Sequence, residues 1–305
     1  MAEVLLAPRF LVLYGWIACA LYVHFRGRVR HRFGRQLTDH SSFLAPYNVL
    51  VYLFSGVPRG PILDPRTLPE LAPLQKNWRI IRDEAQRLFQ AGRIRAAEDG
   101  KDIAFNTFFR RGWKRFHLRW YGEVLPSARE LCPETCRLVE SIPSVNAALF
   151  ALMAPKSVLG PHRDPFAGSL RYHLGLATPN SNACRIHVDG NEYSWRDGED
   201  VLFDETYIHR AINEADSNRI ILFADIERPM RYRWATAANR WIGRVFVRAT
   251  ETKNQEGDHV GFANRLFKYV YQVRLVGKRL KKKNRKLYYV VKYIVFGGIL
   301  VWIFA

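Results

Sequence analysis

The spacing of apolar positions changes character several times along the chain. Residues 4–23 (VLLAPRFLVLYGWIACALYV) form a nearly unbroken apolar run, about the twenty residues that a bilayer-spanning helix needs. Over 77–97 the spacing is helical. Trp78, Ile81, Ala85, Leu88 and Phe89 recur among Arg, Asp, Glu and Gln, which predicts an amphipathic helix. A second helix is predicted over 127–141, interrupted near Pro133. After Ser141 the runs become short: 147–154, 169–176, 184–188, 192–195, 200–205 and 218–226. Turn signals such as Gly160-Pro161, Asp189-Gly190-Asn191 and Asp197-Gly198 separate them. Short strands at this spacing predict a sandwich or a barrel. The chain closes on a second run of spanning length over 287–305.

Between these patterned stretches lie two less regular ones. Residues 39–76 carry Pro46, Pro58, Pro61, Pro65, Pro69 and Pro73 and read as a linker or an extended wrapping segment; with the basic stretch before them they make up a basic and Pro-rich linker over 25–76. Trp113, Phe116, Trp120 and Tyr121 form an aromatic cluster that is read as core. The four cysteines make no framework: Cys132 and Cys136 are four apart, with three residues between them, the wrong spacing for a zinc or redox pair, and reduced, structural thiols are expected.

Charge changes the picture because of where it sits. The net charge is +19. Residues 4–38 hold six Arg and no acid, and residues 259–305 hold eleven Lys or Arg and no acid. With Glu3 counted, +3 remains for residues 39–258. No nucleic-acid-binding motif interleaves with the basic ends, so nucleic acid is not an expected partner. Arg26, Arg28, Arg30, Arg32 and Arg35 follow the first apolar run, and a basic segment over 259–286 precedes the last. By the positive-inside rule both flanks, and residues 39–258 between them, face the cytoplasm. The expected organisation is a transmembrane helix over 1–24, a linker, a cytoplasmic domain and a membrane helix over 287–305, with anionic phospholipids beneath the basic flanks. A signal peptide is the competing reading of the first run, disfavoured because its basic cluster follows the apolar stretch. An interfacial helix competes for the last run, since Lys292, Tyr288, Tyr289 and Tyr293 suit a membrane surface.

The candidate chemistry lies in GPHRDPFAGSLRYHLGL, residues 160–176. Arg171 and His173 are two apart, hence on one face of a strand. Charged groups facing a core cost several kcal/mol, about 2–7 for even a neutral polar group, unless something binds them. His162 and Asp164 form an H-x-D pair, and a distant His209 follows the run 200–205. Two imidazoles and one carboxylate so arranged can hold iron(II) on one face with the opposite positions open. Alone this pattern is weak. Arg219, ten residues past His209 at the start of a strand, is a natural bidentate partner for a dicarboxylate, and Arg171 and His173 would offer donors to its other end.

The constellation resembles the aspartyl/asparaginyl β-hydroxylase family of iron(II)- and 2-oxoglutarate-dependent oxygenases. The resemblance covers roughly residues 100–230 and is carried by HRDPFAGSLRYHLGL, DGNEYSWRDGE and FDETYIHRAINEADSNRIILFADIERP, with the intervals of nine from His162 to Arg171 and ten from His209 to Arg219. It implies a mainly β fold, a double-stranded β-helix (jelly roll) over about 145–230 with helical additions. It also implies Fe(II) held by His162, Asp164 and His209, and 2-oxoglutarate held by Arg171, His173 and Arg219, with O2 as the second cosubstrate. Two departures stand out. Asp164 occupies a position at which the animal peptide hydroxylases lack an acid, and Ala151 occupies the place of a family serine that helps hold the cosubstrate. The apolar, basic ends make the chain look like the lipid A acyl-chain 2-hydroxylase branch. That branch implies hydroxylation of the 2-position of a secondary acyl chain of lipid A, or a lipid A precursor, at the cytoplasmic face of the bacterial inner membrane. The alternatives are a membrane-anchored aspartyl/asparaginyl protein β-hydroxylase and a non-catalytic membrane scaffold. Trp195, Tyr207, Phe166 and Tyr172 are candidates, by position alone, to line an acyl pocket.

Overall fold

The computed structural model describes residues 8–36, 39–97 and 102–304. The alternation beyond Ser141 resolves into two antiparallel sheets. Two preceding strands, β1 (Ile62–Leu63) and β2 (Trp113–Trp120), border the larger one. Eight more follow: β3 (Val145–Met153), β4 (Ser157–His162), β5 (Ser169–Ala177), β6 (Cys184–Val188), β7 (Asn191–Ser194), β8 (Asp200–Phe203), β9 (His209–Asn213) and β10 (Arg219–Glu227). The larger sheet runs β1-β8-β5-β10-β3-β2 and the smaller β4-β9-β6-β7. Within β3–β10 the chain deals its strands between the two sheets, and every pair is antiparallel, the topology of a jelly roll. The expected fold is therefore found in the expected stretch.

Period two sorts the side chains of the larger sheet. Phe150, Leu152, Leu170, Leu174, Leu222 and Ala224 point to a helical layer. Leu149, Ala151, Met153, Ile221 and Phe223 point to the space between the sheets. The helical layer includes α3 (Trp78–Gln90) and α4 (Pro133–Glu140), numbered after α1 (Pro8–Phe25) and α2 (Ala45–Phe54). Ile81, Ala85 and Leu88 of α3 are buried on that outer face at the predicted helical spacing, the large ones contributing roughly 1.5–3 kcal/mol each. Helix α5 (Arg233–Ile242) follows β10, and α6 (Phe262–Lys283) and α7 (Arg285–Phe304) end the chain.

Several expectations are corrected. The supposed linker contains α2, which buries Ala45, Asn48, Val51 and Tyr52; its prolines fall in short turns and at helix starts, where proline is tolerated. The aromatic cluster at 113–121, by contrast, is core as expected: it lies mostly on β2, whose Trp and Phe residues reach both cores. Among the described residues no helix is long and apolar enough to cross a membrane. The transmembrane helices expected over 1–24 and 287–305 are thus unsupported, although residues 1–7 and 305 lie outside the described part. Helix α1 has 18 residues, roughly 27 Å against about 30 Å of bilayer core, and buries Val23 beside α2. Helix α7 carries Arg285, Lys286 and Lys292. Arg26, expected on a headgroup-facing flank, is instead almost buried and ion-paired with Asp204 at 2.5 Å.

Candidate active site

The metal-binding candidates come together at one end of the smaller sheet. His162 ends β4, His209 begins β9, and the two are register partners with ring centroids 4.3 Å apart. Asp164 lies two residues beyond β4, tied by its backbone N–H to the carbonyl of Glu205 at 2.9 Å. One ligand atom from each of the three lies within 4.8 Å of the others. Each imidazole is oriented through Nδ1, which meets a carbonyl oxygen two residues upstream: Gly160 for His162 at 2.8 Å, Tyr207 for His209 at 3.0 Å. A carbonyl only accepts, so Nδ1 carries the proton and Nε2 keeps its lone pair for the shared centre. Burial, with His162 beside it, pushes His209 down to about 3, so it stays a neutral ligand.

Opposite this cluster, strand alternation points Arg219 of β10 and His173 of β5 into the same cavity, lined also by Trp113, Ile186, Trp195 and Phe223. Arg219 is 2% exposed. Among the described residues its Nε and Nη2 have no hydrogen-bond partner, nor have either ring nitrogen of His173 or the indole N–H of Trp195. The guanidinium rests 4.4 Å from the Trp195 ring centroid, and burial pushes its pKa down to about 10. Buried donors are normally satisfied. Unpaired donors facing a cavity next to three metal-ligand side chains fit an anionic ligand that also reaches the metal. The residues present therefore suit iron(II) with a dicarboxylate.

Arg171 shares the inward face with His173, but its guanidinium is already engaged. Nη2 donates to Asp164 Oδ2 at 2.9 Å and Nε to Asp225 Oδ1 at 2.8 Å, and Glu205 closes the set. The Phe223 ring lies 3.8 Å beneath it. Tyr121 donates its hydroxyl to Asp225 at 3.1 Å and Ser169 its hydroxyl to Glu205 at 2.7 Å. Burial alone would raise Asp164; Arg171, His209 and His162 outweigh it and hold the carboxyl below its usual range. Burial pushes Glu205 well up, with Asp225 and Asp164 adding to it against Arg171.

The loop that carries Asp164 is clamped by helices. Arg163 Nη1 donates to the Val23 carbonyl at 2.8 Å, and His40 Nε2 donates to the Arg163 carbonyl at 2.9 Å. Asn48 donates to the Pro165 carbonyl and accepts from the Ala167 N–H at 2.8 and 3.0 Å. Tyr47 stacks on Phe166 at 5.5 Å.

The family model described as Aspartyl/Asparaginyl beta-hydroxylase matches residues 75–229, half of the chain, and spans the metal-binding candidates and the cavity lining, though not the clamp residues Val23, His40, Tyr47 and Asn48. The chain belongs to the aspartyl/asparaginyl β-hydroxylase family. An ornithine lipid ester-linked acyl 2-hydroxylase of Rhizobium tropici is 33% identical over 181 residues, 56% of this chain and 62% of that one. The human aspartyl/asparaginyl beta-hydroxylase is 28% identical over 161 residues, 51% of this chain and 21% of that one. The match thus spans less than two thirds of either relative. Among solved structures, a Pseudomonas putida prolyl-4-hydroxylase aligns with 49% of this chain and 87% of its own at a TM-score of 0.34 and 18% identity, a superposition too loose to argue from.

Set against the family's pattern, Ala151 lies fully buried on β3 in register with Ile221, so no hydroxyl is offered there. Of the proposed pocket residues only Trp195 lines the cavity. Tyr172 faces the helical layer and bonds Asp200 at 3.0 Å, Tyr207 lies under Arg26, and Phe166 is stacked on Tyr47. Sequence reasoning missed Glu205 and Asp225. The signal was available: an acid inside the apolar run 219–227 requires a cation, and Asp225 is the register partner of Arg171.

Proposed function

We propose that this chain is an iron(II)- and 2-oxoglutarate-dependent oxygenase that hydroxylates the 2-position of a secondary acyl chain of lipid A at the cytoplasmic face of the inner membrane. The observation that carries the oxygenase chemistry is the His162–Asp164–His209 cluster sharing one cavity with the unpartnered donors of Arg219 and His173; what supports an acyl-chain substrate is the likeness to the Rhizobium tropici acyl 2-hydroxylase. In that reading the Nε2 atoms of both histidines and Oδ1 of Asp164 hold the metal. Iron(II), with 2-oxoglutarate and O2 bound, supplies the oxidation of an unactivated C–H bond, which no side chain can perform. Arg219 takes the far carboxylate of the cosubstrate in a charge-assisted pair, and His173 and Trp195 offer donors along it. Arg171 acts through Asp164, whose Oδ2 it holds so that Oδ1 faces the imidazoles. Phe105, Phe108, Trp113 and Phe223 wall the site against water, which protects a reactive centre from side reactions.

A second substrate has specific support. The Rhizobium tropici relative is named for an ornithine lipid acyl chain, and its likeness extends over 181 residues. The deciding experiment is mass spectrometry of lipid A and of ornithine lipids from cells with and without this chain, with His162→Ala as control. One added oxygen on a lipid A acyl chain, absent in the control, supports the first reading. The same gain on ornithine lipid alone transfers the activity to that substrate. No gain on either, with the protein expressed and iron supplied, overturns acyl hydroxylation.

A further inference from the structure

Away from the cavity, the chain carries an unpartnered apolar surface with its own charge pattern. Residues 228–250 (RPMRYRWATAANRWIGRVFVRAT) contain six Arg and no acid. On α5 and the turns after it, Trp234, Trp241 and Phe246 are 59%, 61% and 62% exposed, with Arg233, Arg240 and Arg244 exposed between them. Single exposed apolar residues are ordinary, but a contiguous patch marks an interaction site.

The patch continues onto α2 and α1. The Arg231 N–H donates to the Phe54 carbonyl at 2.8 Å and the Gly56 N–H to the Pro229 carbonyl at 2.7 Å, which fastens the end of α2 to the start of α5. The Phe54 ring meets Trp234 at 4.8 Å, and Leu50 and Leu53 are exposed beside it. Helix α1 packs on α2 through Val23 and Ala20 and leaves Ile17 and Leu21 exposed.

We infer that the joined outer faces of α1, α2 and α5 form a docking platform for an anionic phospholipid bilayer surface. Tryptophan, phenylalanine and arginine interleaved on one face suit the headgroup boundary. The rings sink to the acyl margin while the guanidinium groups stay with the phosphates. Arg240 is ion-paired with Glu227 at 2.7 Å, so the positive charge of this face rests on Arg231, Arg233 and Arg244, all exposed, and their complement is an anionic surface rather than a neutral one. The platform is also the clamp of the Asp164 loop, through the Val23, Asn48 and Tyr47 contacts and through Asn239, which donates to the Gly168 carbonyl at 2.8 Å. Docking on this face would place the lipid contact on the helices that clamp the Asp164 loop. The inference rests on the lipid-directed reading for its biological sense. Its test reads membrane partition, which needs no turnover, so either can fail alone.

The test is flotation of the full chain with phosphatidylglycerol/phosphatidylcholine vesicles and with phosphatidylcholine vesicles, over a range of salt. The variant Trp234→Glu/Trp241→Glu/Phe246→Glu should lose roughly tenfold or more of its partition onto the anionic vesicles. Its circular dichroism and cobalt(II) binding should match the parent, which shows that it folds. A second variant, Arg233→Gln/Arg244→Gln, keeps the apolar face and should flatten the salt dependence. Parent-like partition of the triple variant, or an unchanged salt dependence in the double variant, overturns the proposal and places the contact elsewhere, such as on the basic α6. A parent chain that ignores vesicles but self-associates through this face, monomeric only in the triple variant, overturns it in favour of a second copy of the chain.

Discussion

Arg171 grips Asp164 by the oxygen that does not face the imidazoles: Nη2 lies 2.9 Å from Oδ2, while Oδ1 lies 3.9 Å from His162 Nε2. The same guanidinium is held by Asp225 and Glu205. The carboxylate of the candidate metal site is therefore oriented by a buried charge network and not only by its loop.

Removing that cation leaves buried acids facing one another. Arg171→Met should destabilise the fold by about 3–5 kcal/mol, the usual result of breaking a buried ion pair from one side. It should also weaken metal binding by roughly 10- to 100-fold, as loss of an orienting partner does elsewhere. Urea denaturation and cobalt(II) titration read the two effects separately. In Glu205→Gln, which keeps Arg171 and Asp164, metal binding should remain near the parent's. Parent-like stability and metal affinity in Arg171→Met would remove Arg171 from the site.

Arg219 makes the opposite prediction for stability. Its buried cation has unpartnered nitrogens, so Arg219→Met should leave the protein without cosubstrate as stable as the parent, or more so. The same variant should raise the KM for 2-oxoglutarate by roughly 10- to 100-fold, the equivalent of a charged hydrogen bond of about 1.5–3 kcal/mol. Thermal unfolding with and without 2-oxoglutarate checks both halves, because the cosubstrate should raise the parent's Tm and not the variant's. A variant that unfolds far below the parent without cosubstrate would show that Arg219 is structural.

These two arginines show how far the sequence carries. The strand runs, the H-x-D pair and the inward face shared by Arg171 and His173 were legible because period two is a local property. That Arg171 is occupied and Arg219 is not was illegible, because it depends on β10 lying beside β5 and bringing Asp225 opposite Arg171. Strands β4 and β9 were also unmarked: they are short, and each ends or starts on a ligand histidine instead of an apolar residue. The apolar run 4–23 reads as a span in the sequence, a reading the described residues leave unsupported, for a related reason. Length and hydropathy register apolarity but not whether a helix packs on a neighbour, and α1 buries one side on α2.

His31 gives a pH signature close to the same loop. Its ring is buried, and burial, with the Arg35 cation, pushes its pKa down to about 4 although Asp39 opposes. The unfolded chain binds this proton below about 6.5, and the folded one only below about 4. Between those values the unfolded state holds more protons, so stability falls as pH drops through the window. The contribution should be about 1–2 kcal/mol after allowance for solvent screening of a site near the surface. Urea denaturation of the parent and of His31→Gln at pH values from 4 to 7 should show a shallower acid loss in the variant. Parallel curves would remove His31 as a source.

The clamp on the Asp164 loop makes the last prediction. Gly168 sits where a Cβ would fall 2.0 Å from Asn239 Oδ1, 2.4 Å from Phe166 Cζ and 2.6 Å from the Tyr47 hydroxyl. All three belong to the clamp: Tyr47 donates to Asn239 at 2.6 Å and stacks on Phe166, and Asn239 donates to the Gly168 carbonyl. One methyl group must therefore displace side chains that α2, α5 and the metal loop share. Overpacking of this kind costs about 1–3 kcal/mol. Gly168→Ala should lower Tm and, because Asp164 lies four residues upstream on the same clamped segment, weaken cobalt(II) binding. Tyr47→Phe removes one hydroxyl without filling space and should give a smaller loss of both. If Gly168→Ala loses stability yet binds cobalt(II) as the parent does, the helices support the fold without positioning the metal loop, and the link between clamp and site is broken.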